Sequence, residues 1–307
     1  MWITGSTLSI SQRSLLPEHP PTERQLRAQD LARRLIQSYS ARHAVQEALS
    51  FIREESHVAA SLEGDVVQFV LAQDPLEHLG IPAGYGSKGG AARSALSAAL
   101  GCQSSREPRD IDIVRRGRHH TPADEDVARR LMPRDFSHGA RVELIRDLSG
   151  YLSTRDLTIN EAVAEGRTVS ATLLCALDTI GQVLRPSRYR GGTLHRKPSL
   201  HGQSLLKMAR LYAEGACANE SWRIEGVPEE ASFSEFDMAT HLNKAFQRGR
   251  PIAERFLHTC SILSLLVASA DPVTEMLAEL EHLRHGERGL FPDVPEDEWR
   301  AVAARSR

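Results

Sequence analysis

The stretch "RDIDIV" (109–114) places Asp110 and Asp112 on either side of one isoleucine. In an extended strand alternate side chains share a face, so these carboxylates would stand about 7 Å apart on one side. Ile111 and Ile113 would supply the buried face. Two like charges held this close raise each other's proton affinity unless a cation joins them. Carboxylate oxygens are hard donors that suit Mg²⁺, which also accepts phosphate oxygens. Paired ions on such carboxylates stabilise the attacking and leaving oxygens of phosphoryl or nucleotidyl transfer. A solvated strand edge would carry the same D-x-D, so further elements must decide.

A glycine-rich stretch precedes the strand, Gly84-Tyr85-Gly86-Ser87-Lys88-Gly89-Gly90, and leads into the helical "AARSALSAAL" with Arg93. It reads as a turn at a helix N-terminus, where backbone amides can cradle phosphates and Ser87 or Arg93 can add donors. Its spacing is that of neither the Walker nor the dinucleotide fingerprint, and a turn needing positive φ would look the same. A third element, "STRDLTINEAV" (153–163), holds Arg155, Asp156, Thr158 and Asn160.

"RDLTIN" resembles the "RRDFTIN" signature of the CCA-adding enzyme and bacterial poly(A) polymerase family, within the DNA polymerase beta nucleotidyltransferase superfamily. "GGAAR" (89–93) resembles that family's GGxVR phosphate-binding element, and "RDIDIV" its metal-binding D-x-D strand. "LDTIGQVLRP" (177–186) is similar to the family's next segment, and "LLKMARLYA" (205–213) to its LRAxRFA helix. The five elements keep the family's order over residues 84–213.

The resemblance implies a nucleotidyltransferase fold and a two-metal Mg²⁺ site on Asp110 and Asp112, with Glu143 of "ARVELI" as the third catalytic carboxylate. Nucleotide binding falls to Gly86, Ser87, Gly89, Gly90, Arg93 and Arg155 around the triphosphate. Asp156 and Asn160 would shape the base and sugar pocket, and Lys207 and Arg210 would reach from the neck helix. The chemistry implied is attack of a hydroxyl on the α-phosphate of an NTP, with pyrophosphate expelled. Ser94 stands where the family has an aspartate, and the interval from Gly90 to Asp110 is longer than usual. No ExxR-type nucleotide-selecting template follows Arg210.

The acceptor is suggested by charge. No acidic residue occurs from Arg185 to Ala213, although the whole chain has a formal charge of −2. Arg185, Arg188, Arg190, Arg196 and Lys197 fall in that stretch with Tyr189 among them, a pattern that can follow an RNA backbone and stack on a base. An arginine-rich linker would look the same. The leading expectation is NMP transfer to an RNA 3′ end, plausibly of tRNA. A small-molecule or protein acceptor is the alternative, and a degenerate nucleotide-binding module without catalysis is a third.

The surrounding elements set the expected frame, an α+β protein with a mixed sheet. Thr22 can cap a helix carrying Leu26, Leu31, Leu35, Ile36 and Tyr39, and a second helix runs through Val45, Leu49 and Ile52. Residues 76–192 alternate: strands at "IDIV", "ARVELI", "VSATLLC" and "VLRP", and helical stretches at "ADEDVARRLM" and "RDLTINEAVA". From Leu205 onward the pattern is helical, through "SLLKMARLYAE", "FDMATHLNKAFQRG", "PIAERFLHTCSILSLLVAS" and "PVTEMLAELEHLRHG". The expected division is 1–60 for an N-terminal extension and helices, 61–192 for the catalytic domain and 193–307 for a helical domain.

Composition constrains the rest. Of 38 basic residues only Lys88, Lys197, Lys207 and Lys244 are lysines. Cys102, Cys175, Cys217 and Cys260 lack CxxC pairing, which argues against a zinc ribbon or disulfide framework and for reduced thiols. No run has the length and apolarity of a signal peptide core or a membrane span, so a cytoplasmic location is expected.

Overall fold

A computed structural model describes residues 19–37, 42–102, 111–132, 141–187, 198–227, 233, 235–263 and 265. These residues fall in two compact units. One runs from Pro21 to Val183 and takes in Ser187; the other holds Leu184–Pro186 and the helices from Pro198 onward.

The first unit is built on a seven-stranded mixed sheet of order β1-β2-β7-β6-β3-β4-β5. Its strands are β1 (Ala59–Glu63), β2 (Val66–Val70), β3 (Tyr85–Lys88), β4 (Asp112–Arg116), β5 (Glu143–Ile145), β6 (Ala162–Glu165) and β7 (Thr168–Thr172). All pairings are antiparallel except β4 with β5, and parallel neighbours need a long crossover. Between them lies helix α4 (Pro122–Leu131), after α1 (Glu23–Gln37), α2 (Arg42–Glu55) and α3 (Gly89–Ala99). Helices α5 (Leu148–Ser153) and α6 (Leu173–Gly181) complete the unit.

Thr22 caps α1 as its sequence suggests: Gln25 N–H donates to its hydroxyl at 3.3 Å, and Thr22 N–H donates to the Gln25 side chain at 2.8 Å. The buried stripe of α1 is Ala28, Leu31, Ala32 and Leu35, whereas Leu26 is exposed. Leu26 lies five residues before Leu31, about 140° away at 100° per residue, which carries it off the stripe. Tyr39 lies outside the described residues. Helices α1 and α2 share one apolar core with α3, α6 and strands β2, β6 and β7, so no compact-unit boundary falls at residue 60.

The two faces of the sheet are covered differently. Ser87 pairs with both Ile113 and Ala164, which puts these three side chains on one face. That face carries the large core on α1, α2, α3 and α6, and a smaller cluster of Ile113, Val127, Ala128, Met132 and Val142 under α4. The other face has a smaller cluster, Val66, Val114, Ile145, Leu152 and Val163, packed with Leu148 and Tyr151 of the short α5.

Three local expectations change. The glycine-rich stretch is not a single turn: Gly84 turns with φ +81°, Tyr85–Lys88 is a strand, and α3 starts at Gly89 with φ +63°. A Cβ on Gly86 would stand 2.6 Å from the Ala164 carbonyl oxygen, so this glycine serves the close approach of β3 to β6. "RDLTINEAVA" is not a helix but a 3₁₀ turn, Thr158–Asn160, followed by β6, because residues 162–165 pair along β7 around Gly166. "VSATLLC" ends as a strand at Thr172, whose hydroxyl accepts from Cys175 N–H at 3.1 Å and starts α6.

The second unit is helical, as the pattern from Leu205 suggests. Helices α7 (Pro198–Cys217), α8 (Glu235–Phe246) and α9 (Arg250–Ile262) bury Leu205, Met208, Tyr212, Leu242, Phe256 and Leu257. Two-residue strands β8 (Val183–Leu184) and β9 (Arg223–Ile224) pair with each other as a separate two-stranded sheet. The helix expected at 272–286 lies outside the described residues. Among the described residues no helix is long and apolar enough to cross a membrane.

Candidate functional site

The open face of the sheet gathers a charged cluster at β3, β4 and β5. Lys88 pairs with Asp112 and Val114 with Glu143, so the pleat sets Lys88, Asp112 and Glu143 on one face. Each strand contributes one of them near the end at which α3 begins. Asp110 lies outside the described residues, and β4 starts at Asp112.

Asp112 is held against the start of α3. Its Oδ2 lies 2.9 Å from where a Cβ on Gly89 would sit, and Gly89 has φ +63°. The left-handed φ is what calls for glycine there, and a side chain would also push the Asp112 carboxylate aside. The helix N-terminus has unpaired backbone N–H groups and a partial positive charge that favours a carboxylate beside it. Gly90, in the first turn of α3, is partly buried.

Glu143 is the hub of the cluster. Lys88 Nζ forms an ion pair with its Oε2. The Tyr151 hydroxyl donates to the same oxygen at 3.0 Å, and Arg155 Nη2 donates to Oε1 at 3.4 Å. The Arg155 guanidinium also lies over the Tyr151 ring, 4.0 Å from its centroid, and accordingly has limited freedom to swing. Partial burial works to raise the Glu143 pKa, but the Lys88 ion pair, the Arg155 charge and the Tyr151 hydroxyl outweigh it and hold it below the usual range. Burial, with the Glu143 and Asp112 charges, pushes the Tyr151 phenol well up, so it stays a donor.

A second string of contacts joins α3 to the 3₁₀ turn. Arg93 Nη1 donates to Asn160 Oδ1 at 2.5 Å, and Asn160 Nδ2 donates to Asp156 Oδ1 at 2.6 Å. Leu157 N–H donates to that same Asp156 oxygen at 2.8 Å, and Asn160 N–H donates to the Leu157 carbonyl at 2.9 Å to close the turn. Thr158 is fully buried, its hydroxyl donating to Asp178 at 2.6 Å. The "RDLTIN" stretch thus orders Arg155, Asp156 and Asn160 by anchoring on Asp178.

No protein-family model matches the chain, and no curated protein matches its sequence.

Of the residues singled out in the sequence, Asp112, Glu143, Gly89 and Arg155 come together on the open face, and Arg93, Asp156 and Asn160 form the adjoining string. Gly86 answers to strand packing. Ser87 is fully buried on the opposite face, and its Oγ has no hydrogen-bond partner among the described residues. A phosphate-facing role does not fit that placement. Lys207 and Arg210 belong to α7 in the other unit, where Arg210 is buried and ion-paired with Glu214. Arg185 is also buried, in an ion pair to Glu225 at 3.1 Å, and this removes it from any exposed basic track. Arg188, Tyr189, Arg190, Arg196 and Lys197 lie outside the described residues.

Two members of the cluster escape sequence reasoning: Lys88 and Tyr151. Lys88 had a signal, being the only lysine before Lys197 in an arginine-dominated chain. Tyr151 had a weaker one, its i,i+4 spacing from Arg155 across the end of a short helix.

The donor set agrees in kind with a hard divalent cation. Asp112 and Glu143 offer carboxylate oxygens on adjacent strands of one face, with no sulfur or imidazole among them. Among the described residues no three His, Cys, Asp or Glu side chains stand close enough to hold a metal, and Asp110 lies outside them.

Proposed function

We propose that the sheet unit is a Mg²⁺-dependent nucleotidyltransferase that moves NMP from an NTP to a hydroxyl acceptor, with release of pyrophosphate. One observation carries the reading: the Asp112 carboxylate lies against the N-terminus of α3, on the sheet face that also holds Glu143. A helix N-terminus favours anions, phosphate as well as carboxylate. A cation held by Asp112 and Glu143 would neutralise the carboxylates and draw phosphate oxygens to the same end of the helix.

Each side chain then has a task. Arg155, stacked on Tyr151 and tethered to Glu143, presents a fixed guanidinium to the triphosphate. Arg93, held by Asn160, is assigned to the triphosphate through the resemblance of "GGAAR". The amides at Gly89 and Gly90 supply uncharged donors. When bound, Mg²⁺ would supply charge neutralisation at the α-phosphate and the departing pyrophosphate. "RDLTIN", "GGAAR" and "RDIDIV" support the same assignment through their resemblance to the CCA-adding enzyme and bacterial poly(A) polymerase family.

The acceptor is proposed to be an RNA 3′ end, on the strength of the acid-free stretch from Arg185 to Ala213. With Arg185 and Arg210 committed to buried ion pairs, that proposal now rests on Arg188, Tyr189, Arg190, Arg196 and Lys197. The full chain incubated with each NTP separately, Mg²⁺ and total RNA, followed by 3′-end sequencing, tests both parts. Added nucleotides that vanish in Asp112→Asn support the reading. Pyrophosphate release without RNA extension would move the acceptor to a small molecule or protein. No pyrophosphate with any acceptor would sink it.

A further inference from the structure

Lys88 sets the cluster apart from a simple carboxylate site. Four charged side chains meet there: Asp112, Glu143, Lys88 and Arg155. Their formal charges cancel, and the Lys88 ammonium sits directly on Glu143. A bare divalent cation approaching this group gains little, because Lys88 already provides positive charge on the oxygen it needs and would repel it. Lys88 cannot easily be ignored, since its Cα is paired with that of Asp112 and its side chain crosses β4 to reach β5.

Resting on the proposed function, we infer that Lys88 is an internal counter-ion that keeps Glu143 occupied until a cation arrives together with a triphosphate. A metal–nucleotide complex brings enough negative charge to give the ammonium a new partner. Lys88 then leaves Glu143 for a phosphate oxygen, and the freed carboxylate takes the cation. The exchange breaks one ion pair and forms two, with no net change in protein charge. It makes cation and nucleotide binding cooperative: free divalent ion binds weakly, and the complex binds well. Arg155 does not substitute, because its stacking on Tyr151 fixes it at the other oxygen.

The test uses the full chain and Mn²⁺ as the probe, its binding followed by electron paramagnetic resonance. It is read with and without α,β-methylene-ATP, which cannot be turned over. Lys88→Met should bind Mn²⁺ alone about fivefold more tightly than wild type, the scale of a half-exposed ion pair. In the presence of the nucleotide analogue the order should reverse, with Lys88→Met the weaker. Lys88→Arg should stay near wild type in both. Lys88→Gln provides a second neutral variant should Lys88→Met fail to fold. Mn²⁺ affinities unchanged by loss of Lys88, or changes of the same sign in both conditions, would overturn the inference. The metal site would survive that outcome provided Asp112→Asn still weakened Mn²⁺ binding. Mn²⁺ binding that is absent even with the nucleotide analogue, or indifferent to Asp112→Asn, would overturn the proposed metal site and the inference with it.

Discussion

Strand β4 has an acid–arginine–tyrosine constellation on each face, and the two are built from nearly the same parts. On the helix-covered face Asp124 accepts from Arg115 at 2.6 and 2.8 Å, from the Tyr85 hydroxyl at 2.8 Å and from Thr121 N–H at 2.7 Å. On the open face Glu143 accepts from Lys88, Tyr151 and Arg155. The Asp124 side chain is 2% exposed and that of Glu143 37%. Asp124 also serves the first turn of α4, where it sits as the N3 residue after Thr121. Its carboxyl is held well below the usual range, first by the Arg115 hydrogen bonds, against the opposing effect of burial.

Donor count does not distinguish the two, since each carboxylate has several. The difference lies in what remains accessible. Asp124 is saturated, buried and committed to its own helix. Glu143 is half open, faces a second carboxylate, Asp112, and lies beside the N-terminus of α3. The first arrangement stabilises a fold; the second leaves room for a ligand whose charge can rearrange it.

Mutations can break this comparison from either side. The largest stability effect should come from Asp124→Asn, which removes the buried charge that accepts from Arg115, Tyr85 and Thr121 and costs about 2–4 kcal/mol. Urea unfolding measures it, and transfer activity per folded molecule should stay unchanged. Gly86→Ala is next, at about 1–3 kcal/mol, because the new Cβ meets the Ala164 carbonyl oxygen at 2.6 Å and β3 must shift. It also displaces Lys88 two residues on, so Mn²⁺ binding should weaken alongside stability.

The smallest effect concerns Glu161, just after "RDLTIN". It is buried, accepts from the Thr172 hydroxyl at 2.5 Å and the Ser187 hydroxyl at 2.8 Å, and burial lifts its pKa to about 7. A carboxyl with a raised folded-state pKa binds its proton more tightly when folded. Its contribution is therefore fully present below the unfolded value and fades as pH rises through about 7. Thermal midpoints should accordingly fall by a few degrees, ~3 °C, between pH 5 and 7.5 in wild type relative to Glu161→Gln. An identical pH profile in both would contradict that assignment.

Much of the frame was legible in the sequence because periodicity and caps are local. Thr22 capping α1, the stripe through Leu31 and Leu35, and the helices after Leu205 all follow from side chains a few residues apart. The misread elements depend on distant partners. Gly86 looks like a turn residue until the Ala164 carbonyl is beside it, and Ala162–Glu165 reads as helix until β7 pairs with it. The same holds for the site. Asp112, Gly89, Glu143 and Arg155 could be named from motifs. Lys88 joins them only through strand register, and the burial of Ser87, Arg185 and Arg210 depends on packing that no motif encodes.

The most direct measurement compares Mg²⁺-dependent pyrophosphate release from NTP in wild type, Asp112→Asn and Asp124→Asn at equal concentrations of folded protein. Asp112→Asn should lose about 10²–10³-fold, the scale for removing one electrostatic contact to developing charge, while Asp124→Asn retains wild-type turnover. Equal loss in both variants, or turnover unaffected by Asp112→Asn, would contradict the assignment of the open face as the site.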